Sequence, residues 1–333
     1  MQILKNRGVF IALLLVGLLL PLFTDSQPVL LLFTRIFILA IFAMSYDILL
    51  GYTGIISFGH VMYFGIGAYS ISLLLKHGGE SWVNVLLAAL IAVILSAIVS
   101  LIVGILSLRL KNTYYAMITL AFAELFHIVS LKWRSLTYGE DGFNFSSQIP
   151  DFLKDRFYFY YISFIALLLV GYFLYQFTKS PTGKVLVAIR ENEARAEMLG
   201  FSTLYYKLIS STVAGVVASL SGILYAISYR YVGSASVFGM DKTIDALLMT
   251  IIGGVGTLFG AIIGAGIINL AHQFLADLAN FHPIFERWLI FFGILYILIV
   301  MFFPSGILGT FNKYKYKFQS RKVERDKSHA NSS

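Results

Sequence analysis

The 333-residue chain contains no cysteine. That absence excludes disulfides, zinc–cysteine sites, iron–sulfur clusters and thiol nucleophiles. Charge is scarce too: 13% of residues are Asp, Glu, Lys or Arg, where a soluble domain carries about 25%. Catalytic patterns are missing. There is no H-E-x-x-H, no G-x-S-x-G and no pair of carboxylates on one helix face. His60, His127 and His272 have no metal-ligand spacing, so neither a metal nor a cofactor is expected. A phosphate-binding loop is also missing. Thr182-Gly183-Lys184-Val185 looks like the end of one, but the full pattern needs Gly where Thr178 stands and Ser or Thr where Val185 stands. Any drive from ATP must therefore come from a partner.

What is present is apolar: 58% of residues are hydrophobic. A helix needs about 20 apolar residues to cross a bilayer, and helices satisfy their own backbone polar groups there. Spans are expected at about 9–24, 29–50, 55–75, 83–108, 113–131, 158–177, 207–229, 243–256, 258–277 and 285–303. The fold class is therefore all-α, a polytopic transmembrane bundle of about ten spans. Gly253-Gly254-Val255-Gly256 interrupts one long apolar stretch, which reads as one span, two short ones or a re-entering half-helix. The N-terminus has a signal peptide's basic start (Lys5, Arg7) and short apolar run, but no A-x-A-like site follows, which favours a retained first span. Residues 1–310 read as the membrane domain, and 311–333 as a basic, disordered cytoplasmic tail whose net +5 suits anionic lipid.

Charge sets the orientation. With ten spans and the N-terminus inside, 16 Lys and Arg residues fall inside and nine outside, as the positive-inside rule requires. Both termini are then cytoplasmic. Residues 132–157 form the longest outside loop and 178–206 the longest inside one. In the latter, Ser180-Pro181 signals helix entry and Gly200 helix exit. Between them Val185, Leu186 and Ile189 make an apolar stripe, and Lys184, Arg190, Glu191, Glu193, Arg195 and Glu197 carry both signs. A lipid-bound helix would favour excess positive charge on its polar face. The mixed charge here suits docking on a protein, with the stripe as the sticky side.

Four stretches carry a family resemblance: Gly51–His60 (GYTGIISFGH) continuing to Phe64–Tyr69 (FGIGAY), Leu108–Glu124 (LRLKNTYYAMITLAFAE), Ser180–Gly200, and Gly253–Ala265 (GGVGTLFGAIIGA). In this order the chain resembles branched-chain amino-acid ABC permeases of the LivM type, within a wider group that also includes urea and short-amide permeases. The resemblance covers roughly residues 29–310. Two places depart from it. The general docking pattern puts Gly six residues after the Glu of Glu-Ala-Ala, whereas Glu193-Ala194-Arg195 leads to Gly200, seven on. The outside loop has Tyr138-Gly139-Glu140-Asp141-Gly142 where a Gly-Gly pair before Asp-Gly or Asn-Gly is commoner.

The resemblance implies a permease subunit that translocates branched-chain amino acids across the bacterial cytoplasmic membrane by alternating access. It implies a paralogous permease, two ATP-binding cassette subunits and an extracytoplasmic binding protein as partners, with no catalysis in this chain. The expected ATPase-coupling residues are Gly183, Arg190, Glu191, Glu193, Ala194, Glu197 and Gly200 within 180–201. For the substrate pathway, Gly51, Gly54, Ser57, Gly59, Gly253, Gly254 and Gly256 mark segments where a helix can break or pack closely. Thr119 and Glu124 join them, since Glu124 is the only acidic residue in the middle of an expected span and a charge there is costly and often functional. Close packing alone competes for the glycines, and a structural ion pair for Glu124. Competing functions are permeation of urea, amides or other amino acids, or an ion-coupled secondary transporter using Glu124 and Asp47.

Overall fold

The computed structural model describes residues 17–21, 26–110 and 113–279 and isolated positions between 290 and 306. The expected tenth span, the tail from Phe311 and most of the expected first span lie outside the described residues. The long helices are α1 (Gln27–Asp47), α2 (His60–Gly78), α3 (Trp82–Ser107), α4 (Thr113–Lys132) and α5 (Arg156–Lys179). Two short helices follow, α6 (Pro181–Glu191) and α7 (Glu193–Met198). Then come α8 (Thr203–Tyr229), α9 (Ser234–Phe238), α10 (Met240–Gly253) and α11 (Leu258–Ala279). One two-residue ladder, β1 (Phe143–Asn144) antiparallel to β2 (Tyr231–Val232), ties two loops together. This is an all-α polytopic bundle.

Six described stretches are long and apolar enough to cross a membrane: Gln27–Thr53, Trp82–Ser107, Thr113–Lys132, Arg156–Lys179, Thr203–Tyr229 and Leu258–Leu275. Burial sorts them. The Gln27–Thr53 and Thr203–Tyr229 stretches are mostly buried inside the chain, while Trp82–Ser107 turns Leu86, Leu90, Ile94, Leu101 and Ile105 outward. Lipid is as apolar as those side chains, so helices associate through close packing and hydrogen bonds. The buried face of α3 shows how. Ala88, Ala92, Ser96, Ser100 and Gly104 recur every four residues, one ridge of small side chains. That ridge meets α8, where Ser96 and Ser219 are bonded at 3.1 Å and Ser100 and Ser211 at 3.0 Å. Between α2 and α8 the backbones approach more closely still. A Cβ added at Gly67 would overlap the Ser219 carbonyl, and one at Gly222 the Phe64 carbonyl.

The long apolar stretch around Gly253–Gly256 resolves into two helices. The first, α10, has 14 residues, about 21 Å of rise where the hydrocarbon core is about 30 Å. It enters through the short α9. Ser234 of α9 bonds Ser130 of α4 at 2.6 Å, and Phe238 stacks on Tyr69 of α2 at 5.7 Å. After α10 the chain turns at Gly254 (φ 123°) and Gly256 (φ 79°) and returns as α11. Their crossing explains the Gly260-x-x-x-Gly264 pair: a Cβ at Gly264 would overlap the Met249 carbonyl, and one at Gly253 the Gly260 carbonyl.

Two ends of the bundle are distinct. At one, β1 pairs β2, the Arg230 guanidinium donates to the Lys154 carbonyl, and the Lys154 ammonium pairs with Glu80 at 3.0 Å and Asp151 at 3.1 Å. Glu80 and Asp151 hold the Lys154 ammonium above its ordinary range. At the other end lie the α1 terminus, the 54–59 loop, the α10–α11 turn and α6–α7.

Candidate functional site where two interrupted helices meet the 180–201 segment

The local sequence builds α6 and α7. The Ser180 hydroxyl accepts from the Gly183 N–H at 3.2 Å, and Pro181 occupies the first turn, where a missing N–H costs nothing. Gly183 sits against the Phe177 and Thr178 carbonyls of the last turn of α5, with no room for a Cβ. At Asn192 the backbone becomes extended and ends α6, and the Asn192 side chain caps α7 by accepting from Arg195 N–H at 2.9 Å. Gly200, at φ 88°, then releases the chain toward α8.

The apolar stripe of α6 is placed differently from its expected docking role. Leu186 and Ile189 are buried against the chain's own bundle, and Ala196 of α7 likewise. The reason is competition. The end of α5, the start of α8 and the Ile48–Thr53 segment offer apolar surface to which α6 is covalently tethered on both sides. The large apolar residues of the segment left most outward are Met198 and Leu199, 81% and 69% exposed, followed by Phe201 at 36%. Sequence periodicity does not single them out, because Met198 ends the six-residue α7 and Leu199 caps it, too short a helix to show a stripe.

Beyond Gly183, the expected coupling residues divide into three groups. Glu193 reaches back to α8 and pairs with Lys207, whose side chain is 10% exposed. Glu197 accepts from the Thr203 hydroxyl at 2.8 Å. Both carboxylates thus fasten the α6–α7 hairpin to α8. Glu191, Ala194 and Gly200 are exposed. Arg190 is also exposed overall, yet its guanidinium donates to the Gly51 carbonyl.

Gly51 lies in a π-helical stretch, Ile48–Thr53, that continues α1 and ends at Gly54 in the left-handed region (φ 76°). A helix end leaves carbonyls without intrahelical donors; here Arg190 serves one of them. Beside it, Asp47 is completely buried. One of its carboxylate oxygens accepts from the Gly256 N–H at 2.7 Å, and among the described residues the other has no hydrogen-bond donor. A Cβ at Gly51 would run into both that carboxylate and the Gly256 backbone. The two interrupted helices therefore touch at Gly51 and Gly256, bridged by Asp47 and roofed by Arg190.

The remaining pathway expectations fall nearby or elsewhere. Ser57 is buried and accepts from Gly59 N–H at 3.3 Å. Thr119 is fully buried and accepts from Phe58 N–H at 3.2 Å, holding the 54–59 loop against α4. Gly253 and Gly254 stand at the end of α10, and the Gly306 backbone lies against Gly254. Glu124 does not join this group. Five residues beyond Thr119, it falls on the outward face of α4, 56% exposed and 3.5 Å from His127. Among the described residues no group of three or more His, Asp or Glu side chains is placed to hold a metal ion.

The glycines and Arg190 expected from the sequence meet at this junction; Asp47, named from the sequence as an ion site of the alternative transporter, is instead the bridge to Gly256. An acid at the end of an apolar run was its only signal.

Comparison with known proteins agrees with this architecture. The protein family described as "Branched-chain amino acid transport system / permease component" matches residues 29–300. The chain is 26% identical to the high-affinity branched-chain amino acid transport system permease protein LivM of Salmonella typhimurium, over 91% of this chain and 75% of that protein. The LivM protein of Escherichia coli matches to the same extent. The probable branched-chain amino acid transport permease protein LivM of Methanocaldococcus jannaschii is 24% identical over 80% of this chain and 89% of its own length. A match across most of the chain, with interrupted helices and six long apolar stretches behind it, makes this multi-pass membrane protein a member of the family of permease components of branched-chain amino acid transport systems.

Proposed function

We propose that the chain is the membrane-spanning permease subunit of an ATP-driven importer that carries branched-chain amino acids across the bacterial cytoplasmic membrane by alternating access. The observation that carries this is the junction just described: two interrupted helices inside the bundle, bound to a short helical hairpin at one bundle end. The substrate class rests on the named activity of relatives matched over most of this chain. No phosphate-binding loop is present, so a partner hydrolyses ATP. Two such subunits, a paralogous permease and an extracytoplasmic binding protein complete the complex.

The bundle spans the membrane about ten times with both termini in the cytoplasm, so that α6 and α7 face the ATPase. Residues 1–310 make up the membrane domain and 311–333 a cytoplasmic tail. Within the hairpin the docking contacts are Met198, Leu199 and Glu191, together with the Gly200 turn, while Glu193, Ala194, Glu197 and Gly183 shape the hairpin that presents them. Exposed apolar side chains at a water-facing tip are what a partner's groove buries. The pathway runs past Gly51, Gly54, Ser57, Gly59, Thr119, Gly253, Gly254 and Gly256. Glu124, on an outward face yet mid-span, meets the second permease, because lipid does not tolerate an exposed carboxylate there.

The test is co-purification of the co-expressed ATPase, followed by uptake of labelled leucine into vesicles containing the whole complex. The wild-type chain is expected to retain the ATPase and Met198→Asp with Leu199→Asp to lose it. Retention by that double variant would overturn the docking surface. Absence of leucine, isoleucine and valine uptake by the complete wild-type complex would overturn the substrate class.

A further inference from the structure

We infer that Arg190 is a mechanical link, joining the docking hairpin to both helix interruptions so that displacement of the hairpin moves the two breaks together. The inference deepens the proposed function and rests on its reading of α6 and α7 as the ATPase-facing element.

Four contacts carry it. The Arg190 guanidinium donates to the Gly51 carbonyl, inside the π-helical end of α1. Its Nη1 also lies 2.9 Å from where a Cβ of Gly256 would stand, so the guanidinium rests on the turn between α10 and α11 as well. The stem of Arg190 lies over Gly54, where a Cβ would sit 3.0 Å from its Cγ. Below the guanidinium, Asp47 at the end of α1 accepts the Gly256 N–H at 2.7 Å. One side chain on the hairpin thus touches two breaks from distant parts of the sequence, and those breaks are already tied to each other. The other hairpin ties, Glu193 to Lys207 and Glu197 to Thr203, lead only to α8. α6 also packs its apolar side on Ile48–Thr53, but among the described residues Arg190 is the hairpin side chain that touches both interruptions.

The geometry suits a link better than a prop. Arg190 is exposed at the bundle end, so the packing of the core does not depend on it. Its planar fork offers five donors in fixed directions, and those serve orphan carbonyls of a broken helix without an apolar contact. Gly54 and Gly256 both lie in the left-handed region, where glycine changes conformation at low cost. The linked points are therefore also the points at which the backbone pivots most easily.

The experiment uses the complete complex in vesicles, with ATP hydrolysis and labelled-leucine uptake measured on the same preparation. Arg190→Ala is expected to assemble with the ATPase as wild type does and to keep binding-protein-stimulated hydrolysis. Uptake per ATP should fall about tenfold or more, the factor carried by loss of a hydrogen bond from a charged donor. Arg190→Lys keeps a charged donor without the fork and should fall between the two. Asp47→Asn keeps the carboxamide oxygen for Gly256 and should stay near wild type, while Asp47→Ala should match Arg190→Ala. Unchanged uptake per ATP in Arg190→Ala overturns the link and leaves the docking reading intact. Loss of the ATPase from the Arg190→Ala complex makes Arg190 a docking contact and also overturns the link. Failure of the wild-type chain to retain any ATPase overturns both readings.

Discussion

The α2–α8 crossing makes the sharpest demand on sequence. Gly67 faces the Ser219 carbonyl and Gly222 the Phe64 carbonyl, each too close to admit a Cβ. Both obstacles are backbone, so no rotamer change relieves them. Ordinary carbon contacts begin at about 3.5 Å, so Gly67→Ala must drive the helices apart by on the order of 1 Å. A gap of that size forfeits about a quarter to a half of each dispersion contact across the crossing. Overpacking of this kind costs about 1–3 kcal/mol. The hydrogen bond of Ser219 to Ser96 on α3 ties α8 on its other side, which limits how far α8 can yield. Gly222→Ala should cost a similar amount, and the double variant less than the sum, because the first substitution already opens the gap that the second needs. Gly266→Ala is the control. It lies in α11 with nothing among the described residues within 4 Å of its added Cβ, so it should be neutral or stabilising by up to about 1 kcal/mol through helix propensity. The assay is thermal unfolding of the detergent-solubilised protein, followed by intrinsic fluorescence with size-exclusion recovery. Unchanged midpoints for both α2–α8 variants, or a double variant equal to the sum, would refute the backbone-collision argument.

Other expectations follow from the same contacts. Ser219→Ala removes the hydrogen bond to Ser96 and should destabilise by about 0.6 kcal/mol, the mean for interhelical bonds in membranes; a loss above about 2 kcal/mol would mean that the contact is not an isolated pair. Glu193→Ala leaves the nearly buried Lys207 ammonium without its acceptor and counter-charge and should cost about 1–3 kcal/mol. Adding Lys207→Met should recover most of that, as thermal midpoints of the three variants would show, and no recovery would mean that the pair is not coupled. The chain has no cysteine, so single-cysteine labelling has no background. Glu140→Cys should react with an impermeant maleimide in intact cells and Met198→Cys only after permeabilisation. The reverse pattern would invert the proposed orientation.

Much was legible because hydropathy is local. A segment that must shed water along its whole length declares itself in about 20 consecutive residues. The 83–108, 113–131, 158–177 and 207–229 expectations correspond to α3, α4, α5 and α8. Ser180-Pro181, Asn192 and Gly200 punctuate α6 and α7 through side-chain and backbone preferences within a few residues. The choice among readings of 243–277 was harder. Gly254 announces a turn, but whether a chain breaks there depends on what receives the freed backbone groups, and Asp47 lies 209 residues away from Gly256.

The sequence by itself thus determined a membrane protein, the places of its long helices, the family resemblance and the glycines that interrupt the order. Only tertiary structure decided which face of α6 turns inward, that Glu124 points away from the bundle while Thr119 points in, and that Arg190, Gly51, Asp47 and Gly256 form one junction. The physical division is one of range. Transfer of a helix from water to lipid is settled residue by residue along the chain. Pairing of an orphan carbonyl or buried carboxylate depends on which helices cross, and those crossings are set by small side chains far apart in sequence.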